Sequence, residues 1–162
     1  MRELDSYLND HLAGSVGALE LLDHWIKLCD GRPLAKFFAG LKEEIEADQK
    51  TLHELMRTLG TKESTIRRAG AWVAEKFSRA GLAIAGGEVG GLDLLLALET
   101  LEMGISGKKL LWRALAAVDI PRTGNIDFAE LEQRAEEQIA RVELERMRAA
   151  REAFSGDGNR AK

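Results

Sequence analysis

Apolar residues recur along most of this chain at steps of three and four, and nowhere in sustained alternation. That pattern predicts helices and no strands. Leu4, Leu8, Leu12, Val16, Leu19, Leu22 and Ile26 fall on one face of a first long helix, Leu4–Cys29. Gly14, Ser15, Gly17 and Ala18 make its middle small. Glycine in a helix interior costs about 1 kcal/mol, so tight contact with a neighbouring helix is the expected compensation. Asp30-Gly31-Arg32-Pro33 then joins a stop signal to a start signal. Leu34, Phe38, Leu41, Ile45, Leu52, Leu55 and Leu59 mark a second long helix, Pro33–Leu59, ended by Gly60. The link is so short that the two helices are expected to lie antiparallel.

One position breaks the second helix's apolar series. Asp48 stands in core register, and a buried carboxylate needs a histidine, an arginine, a metal or water beside it. If the chain folds back symmetrically about Gly31, Asp48 faces Gly14, one turn from His11, and Glu44 comes close to Glu20. The simplest expectation is an Asp48–His11 hydrogen bond, which would raise the His11 pKa. The alternative is one divalent transition metal held by His11, Glu20, Glu44 and Asp48, with Glu99 or Glu102 as further ligands.

Beyond Gly60, Ser64 can cap a shorter helix to about Ala80, with Ile66, Ala69, Val73, Phe77 and Ala80 on its apolar face. A glycine-rich loop follows to Gly91. A fourth helix is expected over Leu92–Val118, with Gly104 and Gly107 placed to bend it. Pro121 to Asn125 reads as a turn. The last helix, Phe128 to about Phe154, turns Phe128, Leu131, Ala135, Ile139 and Val142 inward. The expected fold is all-α: a single bundle domain over residues 1–154 with a polar tail at 155–162. Two antiparallel hairpins would be joined by a crossover carrying the short extra helix; the alternative is an up-down five-helix array in which that helix packs antiparallel to the second.

Composition narrows the classes. The chain has 162 residues, enough for one domain with a core of its own. Net charge is −4 with lysines and arginines dispersed, which speaks against nucleic acid as a partner. Arg67, Arg68, Lys108, Lys109 and Arg113 read as solvated faces. No apolar run approaches the roughly 20 residues of a membrane span, and the acidic start carries no signal-peptide stretch, so a cytoplasmic location is expected. The one cysteine, Cys29, has no partner for a disulfide and reads as a small core residue. His24 reads as a surface residue at a helix end, and His53 as boundary packing.

Three stretches carry a resemblance. Tyr7-Leu8-Asn9-Asp10-His11-Leu12-Ala13-Gly14, Glu43-Glu44-Ile45-Glu46-Ala47-Asp48 and Gly107-Lys108-Lys109-Leu110-Leu111-Trp112-Arg113-Ala114-Leu115 together resemble small bacterial proteins of the ferritin-like four-helix class. The resemblance implies a ferritin-like bundle and no particular activity. Di-iron members of that class carry Glu-x-x-His on paired helices. Here Leu8, Leu21 and Lys50 stand three residues before His11, His24 and His53, so the paired di-iron motif is missing.

One further motif has a chemical reading. Asp119 to Glu130 matches an EF-hand loop at Asp119, Gly124, Asp127 and Glu130, but Pro121 and Thr123 stand where side-chain oxygens belong. The same residues make a turn in which Asp127 and Glu130 form a capping box. The sequence therefore points to a non-enzymatic binding or interaction module that needs no cofactor. Apolar residues on more than one face of the first and fourth helices point to a homodimer. The alternatives are a mononuclear metal protein and a calcium-responsive loop at 119–130.

Overall fold

The computed structural model describes residues 2–62, 91–118, 120, 123 and 126–155. They form four long helices: α1 (Arg2–Leu28), α2 (Pro33–Leu59), α3 (Gly91–Ala116) and α4 (Phe128–Ser155). No strand occurs among the described residues. The expected short helix at 64–80, the glycine loop after it, the basic pair Arg67 and Arg68, and the tail beyond Ser155 lie outside them.

Local chemistry sets the helix ends. Glu3 and Asp5 sit in the first turn of α1 and Lys27 in its last, each matched to the helix dipole. Gly31 takes φ +75° in the turn, and Pro33 opens α2. Gly60 takes φ +71° and closes α2: its N–H bonds the Arg57 carbonyl, and the Thr61 N–H bonds the Met56 carbonyl at 2.9 Å. Asp127 caps α4, its Oδ1 accepting from the Glu130 N–H at 3.0 Å. Asp127 thus acts as the expected cap, while Asp119 and Gly124 of the calcium reading are outside the described residues.

Cross-helix contacts show how the elements lie. Asp5 meets Thr61, Ser15 meets Gln49 and Asp23 meets Lys42, so early residues of α1 touch late residues of α2. On the other side, Arg113 pairs with Glu132 and Arg146 with Glu99. α1 also packs on α3. The backbones come close at Gly91, where a Cβ would stand 2.8 Å from the Ala153 nitrogen; a glycine there lets α3 begin against the end of α4.

Among the described residues the core has two apolar clusters. One gathers Leu22, Trp25, Cys29, Phe38, Leu41, Ile45, Leu98 and Leu101; the other gathers Leu8, Leu12, Leu52, Leu55, Leu111, Trp112 and Leu115. Cys29 is buried as expected, and burial raises its thiol pKa against the opposing charge of Arg32. The α1 face is rotated from the expected one: Leu21 and Trp25 are buried, while Val16, Leu19 and Ile26 are only partly covered. His24 is exposed, edge-on to Trp25. On α1, α2 and α3 a polar or small-residue layer separates the two clusters.

Candidate functional site

Core-register polar residues of α2, α3 and α4 meet beside that layer. Asp48 on α2 is 1% exposed and Gln138 on α4 is fully buried. Lys108 on α3 occupies the step between Ile105 and Leu111, and its side chain is 14% exposed. Its ammonium donates to Asp48 Oδ2 and to Gln138 Oε1. Arg134 donates through Nη2 to Asp48 Oδ1. The Gln138 amide donates onward to Glu44 Oε2 at 3.0 Å, and Arg141 donates to the same oxygen. Lys108, Arg134 and Arg141 thus surround the carboxylates of Asp48 and Glu44, and the charge of Glu137 also bears on Arg141.

Burial is the main influence on Lys108 and pulls its pKa below the ordinary lysine range, although Asp48 works in the opposite sense. For Glu44 burial acts to raise the pKa, but hydrogen bonds from Arg141 and Gln138, with the charges of Arg141 and Lys108, together hold it below the usual carboxylate value. Two buried donors in this region have no hydrogen-bond partner among the described residues: Trp112 Nε1 and Arg134 Nε. Each is the kind of orphan that costs roughly 1–3 kcal/mol.

Beside the cluster lies a cavity of about 260 Å³ between α1, α2 and α3. Gly14, Ser15 and Ala18 line it from α1; Ile45, Asp48 and Leu52 from α2; Gly104, Gly107, Lys108 and Trp112 from α3. A Cβ on Gly14, Gly104 or Gly107 would meet nothing within 4 Å among the described residues. The expectation of tight helix contact at the small residues of α1 is therefore corrected at Gly14, which no neighbouring described helix approaches so closely. Gly104 and Gly107 lie inside α3, which runs unbroken through both.

The expected Asp48–His11 pair is also corrected. Asp48 bonds Lys108, Arg134 and Gln138 instead, because the α1–α2 register is displaced by about three residues, close to one turn, from a symmetric fold about Gly31. His11 lines the cavity with its ring edge-on to Tyr7, centroids 4.6 Å apart. Its pKa is lowered, not raised: burial outweighs the charge of Asp10. A histidine held below its ordinary 6.5 contributes stability that is complete above pH 6.5 and is lost as pH falls through its folded value. The urea midpoint is therefore expected to drop between pH 7 and pH 5, a window above the ordinary carboxylate value of Glu44 at 4.5. His11→Gln should flatten that drop; an unchanged slope would count against the burial of a neutral imidazole.

The four metal candidates do not converge. Asp48 and Glu44 are turned to cations of α3 and α4, His11 packs on Tyr7, and Glu20 is exposed. Glu99 and Glu102 face Arg146, each at 3.6 Å. Among the described residues no group of three His, Cys, Asp or Glu side chains is placed to hold a metal ion. A di-iron centre does not fit these residues, since a lysine and an arginine occupy the Asp48 oxygens that an iron ligand would need. Lys108, read from sequence as part of a solvated face, is instead the central partner of Asp48.

No described helix is long and apolar enough to cross a membrane. No protein-family model matches the chain, and no curated protein or solved structure is detectably similar to it.

Proposed function

We propose that this chain is a non-enzymatic binding module on a ferritin-like two-hairpin bundle, and that the cavity between α1, α2 and α3 takes a small molecule with an apolar body. The observation that carries this reading is that three helix-interior glycines border the cavity with no atom of the described residues in front of them. Each glycine forgoes about 1 kcal/mol of helix stability relative to alanine, and no close contact among the described residues offsets it. Sites that keep such space at a cost to stability are candidates for binding. The carboxylates of Asp48 and Glu44 are engaged by cations, which supports binding over acid–base chemistry.

The test uses 1-octanol as an apolar probe in calorimetry. The wild-type chain is expected to bind it, and Gly14→Leu/Gly104→Leu is expected to lose binding. Gly14→Ala/Gly104→Ala should raise stability by about 2 kcal/mol through helix propensity alone. Absence of octanol binding in the wild type would overturn the reading.

Self-association is favoured by a separate observation. Leu96, Met103 and Leu110 are exposed on α3 at seven-residue intervals, the spacing of a helix-pairing seam. A dimer in sedimentation equilibrium that Met103→Glu dissociates is the expected result. A monomer at high concentration would end that reading.

A further inference from the structure

We infer that two copies of this chain pair through α3 in antiparallel orientation, about a two-fold axis that passes between Ser106 and Gly107. The inference rests on the self-association reading above and specifies how the second copy is seated. Among the described residues, every large apolar side chain that stands exposed belongs to α3, to α4 or to Val118 just beyond α3, and α1 and α2 present none. On α3, Leu96, Met103 and Leu110 stand at seven-residue intervals, on the side opposite the buried Leu101 and Ile105. The exposed Ala117 extends the series by one more interval. It keeps helical register, since its N–H bonds the Arg113 carbonyl at 3.2 Å.

The series is complementary to itself when reversed. Rotation about that axis sets Leu96 on the partner's Ala117 and Met103 on the partner's Leu110, so all four positions are covered by one closed contact. Ser106 and Gly107 at the axis are small and let the two backbones approach. Charge separates this orientation from the parallel one. Ion pairs with α4 run along one border of the series. Towards Leu96 they join three acids, Glu99, Glu102 and Glu143, to Arg146. Towards Leu110 they join Lys109 and Arg113 to Glu132 and Glu136. The first group is acidic and the second is balanced. Parallel pairing would hold the two acidic groups at one level along the helices. Antiparallel pairing sets each at the level of the partner's balanced group. It keeps Glu99 and Glu102 about 14–22 Å along the axis from their counterparts. That distance exceeds the screening length of roughly 8 Å at physiological salt, so the acidic groups no longer oppose association.

Oxidative cross-linking of the full chain reads the orientation. The Leu96→Cys/Ala117→Cys variant is expected to give at least tenfold more covalent dimer than Leu96→Cys or Ala117→Cys alone. The two positions are about 31 Å apart within one copy, so they cannot bridge internally. The wild type, whose one cysteine is buried, is the control. Val118→Cys carrying a nitroxide leaves the series intact and supplies a second readout if the double variant dimerises poorly. Its spin–spin distance is expected at about 35 Å for the antiparallel pair, against less than about 20 Å for a parallel one. Sedimentation equilibrium of the wild type tests the association itself. A dimer in which Leu96→Cys alone cross-links, or in which the nitroxides lie close, would overturn the antiparallel assignment and leave self-association through α3 standing. A monomer at high concentration, its α3 series free or covered by another segment of this chain, would overturn both.

Discussion

Asp48→Ala is expected to destabilise the protein by about 3 kcal/mol in urea unfolding, among the largest effects of any single substitution in this chain. Removing one member of a buried ion pair typically costs 3–5 kcal/mol, because the remaining charge is left without compensation. Here two cations lose their partner. Lys108 is mostly buried and bears the main penalty, whereas Arg134 is 34% exposed and can turn to water, which places the effect at the lower end of that range. Gln138 would lose a carboxylate contact but keep Glu44. The contrast with full replacement is informative. Asp48→Leu/Lys108→Met/Gln138→Leu removes both charges and the amide together, and should cost less than the single change or be neutral. A single variant within 1 kcal/mol of wild type would show that the layer is solvated and not a closed network.

Trp25→Ala is expected to cost about 3–5 kcal/mol, for a different reason. Trp25 is 1% exposed at the centre of the cluster formed by Leu22, Cys29, Phe38 and Leu41, with its ring 6.1 Å from that of Phe38. Truncation forfeits the buried area of the largest side chain in that cluster and leaves a cavity that the surrounding helices fill only in part. Urea unfolding measures the loss directly, and a cost below 1 kcal/mol would mean that this end of the bundle is not packed as described. Helical content at low denaturant should stay near wild type, since the change touches packing and no helix end.

The core-register rule that singles out Asp48 also explains what was and was not legible in the sequence. The helix ends at Pro33, Gly60 and Asp127 could be read because capping is local chemistry: a fixed φ, a left-handed glycine and a side-chain acceptor. Burial of Asp48 followed from periodicity, and burial of Cys29 from the tendency of a free cysteine to pack as a small apolar residue. The partner of Asp48 did not, because it depends on register between helices, and displacement by one turn exchanges His11 for residues of α3 and α4. A signal for those residues was present all the same. Lys108 continues the series Leu101, Ile105, Trp112, and Gln138 continues Leu131, Ala135, Val142. Applied to every helix, the rule that found one polar residue in core register finds three. The face of α1 was misread for a related reason. Leu4 to Ile26 is apolar on more than one side, so periodicity alone could not choose between Leu19 and Leu21 as the buried position.

The cavity was the least legible feature. Gly14 and its small neighbours in α1, and Gly104 and Gly107 in α3, were visible, but small residues in a helix serve equally to bring backbones together or to hold them open. Only the placement of α1, α2 and α3 decides between the two, and here it leaves the space in front of those glycines free of atoms of the described residues.

The most direct measurement is a two-dimensional amide spectrum of the full chain titrated with 1-octanol. Binding in the cavity predicts shifts concentrated at Gly14, Ser15, Gly104, Gly107 and Lys108 and at the Trp112 indole N–H. Shifts spread over the exposed apolar residues Leu92, Leu96, Leu110 and Leu144, with the glycines unmoved, would contradict it.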